Sequence, residues 1–206
     1  MKDTIIIDYG AGNVKSIYNA LKFLGYESIL TNKINDIKSA KRIVLPGVGA
    51  FGKAMEQIKD LELIDSLKYH CDENKPFLGI CLGMQMMFKY SEEFGKYDGL
   101  DIIDGHVEKL PEKQTNKRYY RIPNIGWFET KNKNDFNFSF DENLFYHVHS
   151  YHCIPKNKNE IILTTMFNKQ EVVVGVKKNK TLGFQFHPEK SRKQGLKLLK
   201  YFCDLN

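Results

Sequence analysis

The 206-residue sequence has no apolar run near the eighteen or so residues that a membrane-spanning helix needs, so no membrane partner is expected. Its first apolar run, Ile5-Ile6-Ile7, ends at Asp8. That run is too short for a signal-peptide core, and no small-residue cleavage site follows it. Cysteine is sparse: Cys71, Cys81, Cys153 and Cys203 form no CxxC pair and no disulfide-framework spacing. A cytoplasmic protein is expected. Also lacking is any aromatic platform among the basic residues. The net charge is +6, but the lysines lie in stretches such as Lys131-Asn132-Lys133-Asn134, Lys156-Asn157-Lys158-Asn159 and Lys177-Lys178-Asn179-Lys180. These read as solvated turns between strands, and no nucleic-acid partner is expected.

The first half alternates strand and helix patterns. Thr4 to Ile7 reads as a buried strand, and Val14, Ile17, Tyr18, Leu21 and Leu24 recur at helical spacing up to Gly25. Ser28 to Leu30, Arg42 to Leu45 and Pro76 to Ile80 read as further strands. Helical patterns lie near Asp36, from Phe51 to about Cys71 with an interruption near Asp60, and from Leu82 to Tyr90. Such alternation implies a parallel sheet covered on both faces. From Asp101 onward the segments are short, β-branched and aromatic. Val172 to Val176 and Thr181 to Phe186 read as a hairpin, and Arg192 to Phe202 as a closing helix. The expected fold is α/β: a mixed, mostly parallel sheet with helices on both faces plus a short antiparallel extension. One domain spanning residues 1–206 is expected, with no repeat or linker.

Two segments carry chemistry. Gly79-Ile80-Cys81-Leu82-Gly83 lies where a strand meets a helix, the cysteine counterpart of a nucleophile elbow. Small residues flanking the corner permit a sharp turn and a close substrate. The following helix start offers free amides and partial positive charge that favour a thiolate, and the Leu82 amide points where an oxyanion would develop. A buried cysteine at a tight junction would give the same local pattern. The second segment is Phe184-Gln185-Phe186-His187-Pro188-Glu189-Lys190-Ser191. An extended chain, stiffened by Pro188, would project His187 and Glu189 together, and a carboxylate beside an imidazole suits a base that activates a thiol. An exposed His and Glu at a strand end would look alike; the two segments support each other.

Three other signals are weaker. His147, His149 and His152 cluster near Cys153, with His147 and His149 at a two-ligand spacing, but no second Cys or His pair stands at zinc-finger distance. No metal is expected, and these residues read as strand lining. Gly10 and Gly12 follow a strand, yet Lys15 stands where a dinucleotide fingerprint needs a third glycine. No cofactor is expected. A non-enzymatic module of this fold, or a cysteine peptidase or deglycase of the same broad architecture, are the other classes to weigh.

Gly79-Ile80-Cys81-Leu82-Gly83-Met84-Gln85 and His187-Pro188-Glu189, in that order, resemble the two defining motifs of the class I (triad) glutamine amidotransferases. Within that family, further segments are similar to the glutaminase subunits of imidazole glycerol phosphate synthases. They are Asp8-Tyr9-Gly10-Ala11-Gly12-Asn13, Leu45-Pro46-Gly47-Val48-Gly49-Ala50-Phe51, Ile125-Gly126-Trp127, Val148-His149-Ser150-Tyr151 and Lys190-Ser191. The resemblance runs from Ile5 to Ser191 and implies a flavodoxin-like fold. It also implies a heterodimer with a cyclase (β/α barrel) subunit, ammonia made from L-glutamine being passed on for histidine biosynthesis.

The resemblance implies roles as well. Cys81, His187 and Glu189 would be the triad. Leu82 and an amide among Gly47, Val48 and Gly49 would form the oxyanion hole. Gln85, Glu93, Ser150 and Tyr151 would hold the substrate, and Asn13, Trp127, Tyr146 and Lys190 would face the cyclase. Before Gly126-Trp127 the family usually has a Pro-His-Met type sequence, where this chain has Pro123-Asn124-Ile125, and Phe128 follows where Asn is common. Both positions lie towards the partner in the family. The alternative they raise is a paralogous glutaminase supplying ammonia to a synthase of modified surface-sugar biosynthesis.

Overall fold

The computed structural model describes residues 3–111, 122–134, 136 and 138–205. Its first half follows the alternation of the sequence. β1 (Thr4–Ile7), α1 (Val14–Phe23), β2 (Ser28–Thr31), α2 (Ile34–Ser39) and β3 (Arg42–Leu45) come in turn. Then come α3 (Phe51–Asp60), α4 (Ile64–Asp72), β4 (Phe77–Ile80) and α5 (Leu82–Met86). The expected interruption near Asp60 is the break between α3 and α4. In α1, Ile17, Ala20 and Leu21 supply the buried stripe. That helix stops at Gly25, whose φ of +84° lets the amides of Gly25 and Tyr26 return to the carbonyls of Lys22 and Leu21.

The second half comprises β5 (Phe88–Ser91), β6 (Tyr97–Asp98), β7 (Ile103–Lys109), β8 (Asn124–Asn132), β9 (Leu144–His149) and β10 (Tyr151–Pro155). β11 (Ile161–Phe167), β12 (Gln170–Lys178), β13 (Thr181–Phe184) and α6 (Arg192–Cys203) complete it. Among the described residues, nine strands form one sheet in the order β2-β1-β3-β4-β13-β12-β11-β8-β9. From β2 to β13 the neighbours are parallel; from β13 to β9 they are antiparallel. The mixed sheet that the sequence implied is present, but its antiparallel part is not a short extension: four of the eight pairings are antiparallel, because β8, β9, β11 and β12 all join the same sheet.

Alternation along each strand splits the core in two. Ile5, Ile7, Ile43 and Leu45 pack on one face with Ile37 of α2, Phe51 and Ile58 of α3 and Leu67 of α4. Ile6, Val44, Leu78 and Ile80 pack on the other with Leu21 of α1 and Leu198 and Phe202 of α6. Among the described residues no helix is long and apolar enough to cross a membrane.

One helix is shorter than expected. The pattern over Leu82 to Tyr90 resolves into α5, which ends at Met86, and then β5. Phe88 and Ser91 are buried while Lys89 is exposed, and Phe88 and Tyr90 pair with Ile103 and His106 of β7. β5 belongs to a second sheet, ordered β10-β7-β5-β6, that the sequence reading did not anticipate. Aromatic residues beside a pairing strand overrode a weak helical periodicity.

Candidate active site

Three consecutive neighbours in the parallel part, β3, β4 and β13, end at the same edge, and each is followed by a segment of the site. Ligands in open α/β sheets bind outside the carboxyl ends of such strands. After β3 comes Pro46 to Gly49, after β4 comes Cys81, and after β13 comes Gln185 to His187.

Cys81 occupies the corner between β4 and α5 with φ 55° and ψ −111°, a positive-φ conformation that non-glycine residues seldom adopt. Its amide donates to the Phe184 carbonyl (2.8 Å), tying the corner to β13. Close packing makes the turn possible. A Cβ on Gly83 would stand 1.9 Å from the Leu45 carbonyl oxygen, and one on Gly47 would stand 2.7 Å from the Gly83 nitrogen. The Pro46–Gly49 loop therefore lies directly against the elbow. Among the described residues, the amides of Gly47, Val48 and Gly49 make no hydrogen bond.

His187 and Glu189 meet, but not through the extended chain expected. Pro188–Lys190 is a 3-10 turn with the Lys190 amide donating to the His187 carbonyl. The fixed φ of proline suits a first helical position as well as an extended one, and the turn prevails here. Within it His187 Nδ1 lies 2.9 Å from Glu189 Oε1, with side-chain exposures of 2% and 0%. Ser191 locks the turn: its hydroxyl donates to the His187 carbonyl (2.7 Å) and accepts from the Tyr146 amide (3.0 Å). Burial pulls the His187 pKa down, but Cys81 and Glu189 outweigh burial and hold it at about 10. His187 Nε2 is buried without a hydrogen-bond partner, free for proton exchange at the sulfur.

A cavity of about 310 Å³ opens beside the sulfur, at the lower end of small-ligand sites. Val48, Gly49, Leu82, Gln85, Glu93, Ser150, Tyr151 and His187 line it with Cys81. Gly47 packs behind this wall against Leu82. Gln85 Nε2 donates to the Tyr151 carbonyl (3.1 Å), and Glu93 Oε2 accepts from the Phe51 amide (2.5 Å). Burial raises the Glu93 pKa, with the Phe51 amide opposing it. Larger surface hollows exist, one of about 970 Å³ lined by Lys38, Lys59 and Lys75, but they contain none of the triad candidates.

Trp127, Tyr146 and Lys190 gather on one face. The Trp127 and Tyr146 rings meet edge-on at 5.9 Å, Lys190 Nζ stands 5.9 Å from the Tyr146 ring, and Arg192 caps Trp127 at 4.7 Å. Arg192 was not singled out from the sequence. Asn13 precedes α1, its Oδ1 accepting from the Ser16 hydroxyl (2.8 Å), and makes no ring or hydrogen-bond contact with that cluster among the described residues.

His147 and His149 do share a strand face, as alternation implied. His149 Nδ1 donates to the Tyr151 carbonyl (2.9 Å), leaving its Nε2 to accept from His147 Nδ1 (3.2 Å). Burial lowers both pKa values, that of His149 to about 4. Among the described residues no group of three or more His, Cys, Asp or Glu could hold a metal ion. His149 itself lines the Cys81 cavity. Asn124 is buried, with Nδ2 3.5 Å from His149 Nε2. Phe128 meets His147 edge-on. Gln185 lies in the segment singled out around His187 but was given no role there. It is fully buried between Phe184 and Phe186, and its Nε2 lies 3.9 Å from Cys81 Sγ. A lone amide in an apolar run, two residues before His187, was the available signal.

The chain is similar to known proteins along nearly its whole length. The family model "Glutamine amidotransferase class-I" matches residues 5–204. The chain is 39% identical over 202 residues to "Imidazole glycerol phosphate synthase subunit HisH" of Chlorobaculum tepidum, covering 97% of this chain and 98% of that one. It is 42% identical over 200 residues to the protein of the same description from Bacillus cereus, covering 96% and 92%. A solved structure described as a glutamine amidotransferase superposes with a TM-score of 0.70 at 18% identity, covering 96% of both chains, which supports the fold alone. A family match along nearly the whole chain, with relatives of this similarity, has one consequence: the chain belongs to the class-I glutamine amidotransferases.

Proposed function

We propose that the chain is the glutaminase subunit of an imidazole glycerol phosphate synthase, hydrolysing glutamine to glutamate and passing ammonia to a cyclase subunit for histidine biosynthesis. The observation that carries the chemistry is the juxtaposition of Cys81 at a strained elbow with a buried His187–Glu189 pair. The pathway rests on the HisH relatives. The chain acts as one domain in this reading, which one family model matching residues 5–204 supports.

Glutamine enters the cavity with its side-chain amide over Cys81. His187 takes the thiol proton, and Glu189, accepting from Nδ1–H, fixes the tautomer and stabilises the imidazolium. The raised His187 pKa supports this direction of transfer. Attack by sulfur on the amide carbon gives a tetrahedral intermediate whose oxyanion is met by the Leu82 amide and by an amide of the Gly47–Gly49 loop. His187 returns its proton to the departing nitrogen and ammonia leaves. Water then attacks the thioester, with His187 as base, and glutamate departs. Gln85 and the backbone at Ser150 and Tyr151 hold the polar end of the substrate, and the Glu93 carboxylate attracts its ammonium. The loop at Gly49, with φ +97°, can reorient cheaply when a partner binds.

The cyclase docks on the face bearing Trp127, Tyr146 and Lys190, with Asn13 beside the ammonia passage. The test is glutamate release by the purified chain, alone and with the histidine-pathway cyclase and its nucleotide substrate, with Cys81→Ala as control. Large stimulation that depends on Cys81 is expected. Glutamate release that survives Cys81→Ala would overturn the triad. Absence of stimulation by that cyclase would overturn the pathway and favour a surface-sugar synthase as acceptor.

A further inference from the structure

A chain of buried amides links the far wall of the cavity to the nucleophile. Gln85 donates from Nε2 both to the Tyr151 carbonyl (3.1 Å) and to Gln185 Oε1 (3.2 Å). An amide nitrogen can only donate, so the Gln185 oxygen must be the acceptor, and its nitrogen is turned the other way. That nitrogen faces Cys81 Sγ at 3.9 Å. The side chain is fully enclosed. A buried primary amide is costly to desolvate unless both ends are met, and here the second partner is the sulfur itself.

We propose that Gln185 is a positioning residue for the nucleophile: its amide N–H holds the Cys81 sulfur at the cavity and favours the anionic form, while its oxygen ties that sulfur to Gln85. The proposal rests on the reading of Cys81 as nucleophile. It gives the enzyme a means of sensing substrate. A glutamine molecule that re-orients Gln85 changes the acceptor load on Gln185 and so the hold on the sulfur. The titratable groups acting on the same sulfur are His187, Tyr9 and Cys153, with Glu189 acting through His187. Gln185 adds no charge to this set, and substituting it leaves all of them in place.

The experiment is alkylation of Cys81 by iodoacetamide across a pH series, read by mass spectrometry of the Cys81 peptide in the full-length wild type, Gln185→Leu and Gln185→Glu. It needs neither glutamine nor a partner. Burial pushes the Cys71 and Cys203 thiols up to about 12 and Cys153 well above its ordinary value, so they react little near neutrality. Gln185→Leu removes the donor, and alkylation near neutral pH is expected to fall roughly tenfold, as for a hydrogen bond to a charged group. The pH profile should move upward by about one pH unit. Gln185→Glu keeps the shape but sets a carboxylate against the sulfur, and should move the profile at least as far. It decides the matter if the leucine variant does not fold. Profiles matching wild type in the variants that fold, with or without a lower melting temperature, would overturn the proposal and leave Gln185 a packing residue. Glutamate release that is independent of Cys81 would instead fail the glutaminase reading, and the alkylation profiles would still report whether Gln185 acts on the sulfur.

Discussion

Replacing Glu189 by Gln tests the pair on which the proposed chemistry depends. The Glu189 side chain is fully enclosed, its Oε1 2.9 Å from His187 Nδ1 and its Oε2 without a partner. Glutamine keeps an oxygen for Nδ1–H, so the tautomer and ring orientation persist, but the charge is lost. His187 rises from 6.5 to about 10 against the pull of burial. That rise corresponds to ~5 kcal/mol in favour of the imidazolium. Cys81 and Glu189 share this sum and also what burial takes away. Assigning Glu189 less than half, roughly 2 kcal/mol, predicts that Glu189→Gln lowers kcat/KM for glutaminase about 30-fold.

The same shift has a sign in stability. A histidine whose folded pKa is raised contributes stability that is fully present below the unfolded value of 6.5 and is lost as pH rises through about 10. The deficit of Glu189→Gln in thermal unfolding should therefore be largest near pH 6.5 and shrink towards pH 10. Glutamate release and melting curves over that window check both parts. A variant within about threefold of wild-type kcat/KM, with a pH-independent stability deficit, would refute the argument, because Glu189 would then be holding no proton on His187.

Four further outcomes are expected. Gly83→Ala would drive a Cβ to 1.9 Å from the Leu45 carbonyl; overpacking of this kind costs about 1–3 kcal/mol or more, visible as a lower melting temperature together with lost glutaminase activity. Glu93→Gln removes the charge expected to meet the substrate ammonium, and should raise KM roughly tenfold with little change in kcat, measured by steady-state kinetics. Trp127→Ala should weaken cyclase binding by roughly tenfold or more in calorimetry while leaving Cys81 alkylation as in wild type. His149, with its pKa lowered to about 4 by burial, makes the unfolded chain the better proton binder. Stability should thus fall by ~3 kcal/mol as pH drops from 6.5 to 4, and His149→Gln should blunt that fall in urea titrations.

Much of this molecule was legible because its strongest signals are local. Ile5-Ile6-Ile7 is apolar on both faces because helices cover both sides of β1, and an elbow needs its glycines within two residues of the cysteine. The failures share a different cause. Phe88 to Ser91 follows a short helix and becomes a strand only because β7, some fifteen residues later, offers it a pairing edge. Pro188 suits two backbone states, and the Ser191 hydroxyl bridging His187 and Tyr146 accompanies the turn and not the extended one. Asn124 shows no sign in the sequence of the contact with His149 that pairing with β9 gives it. Gln185 shows the same limit most sharply. Its neighbours in sequence are phenylalanines, and its meaning comes from Gln85, a hundred residues away, and from the sulfur between two strands. A motif names the atoms that react; the atoms that hold them in place are scattered by the fold, and only the sheet order brings them into one chain of bonds.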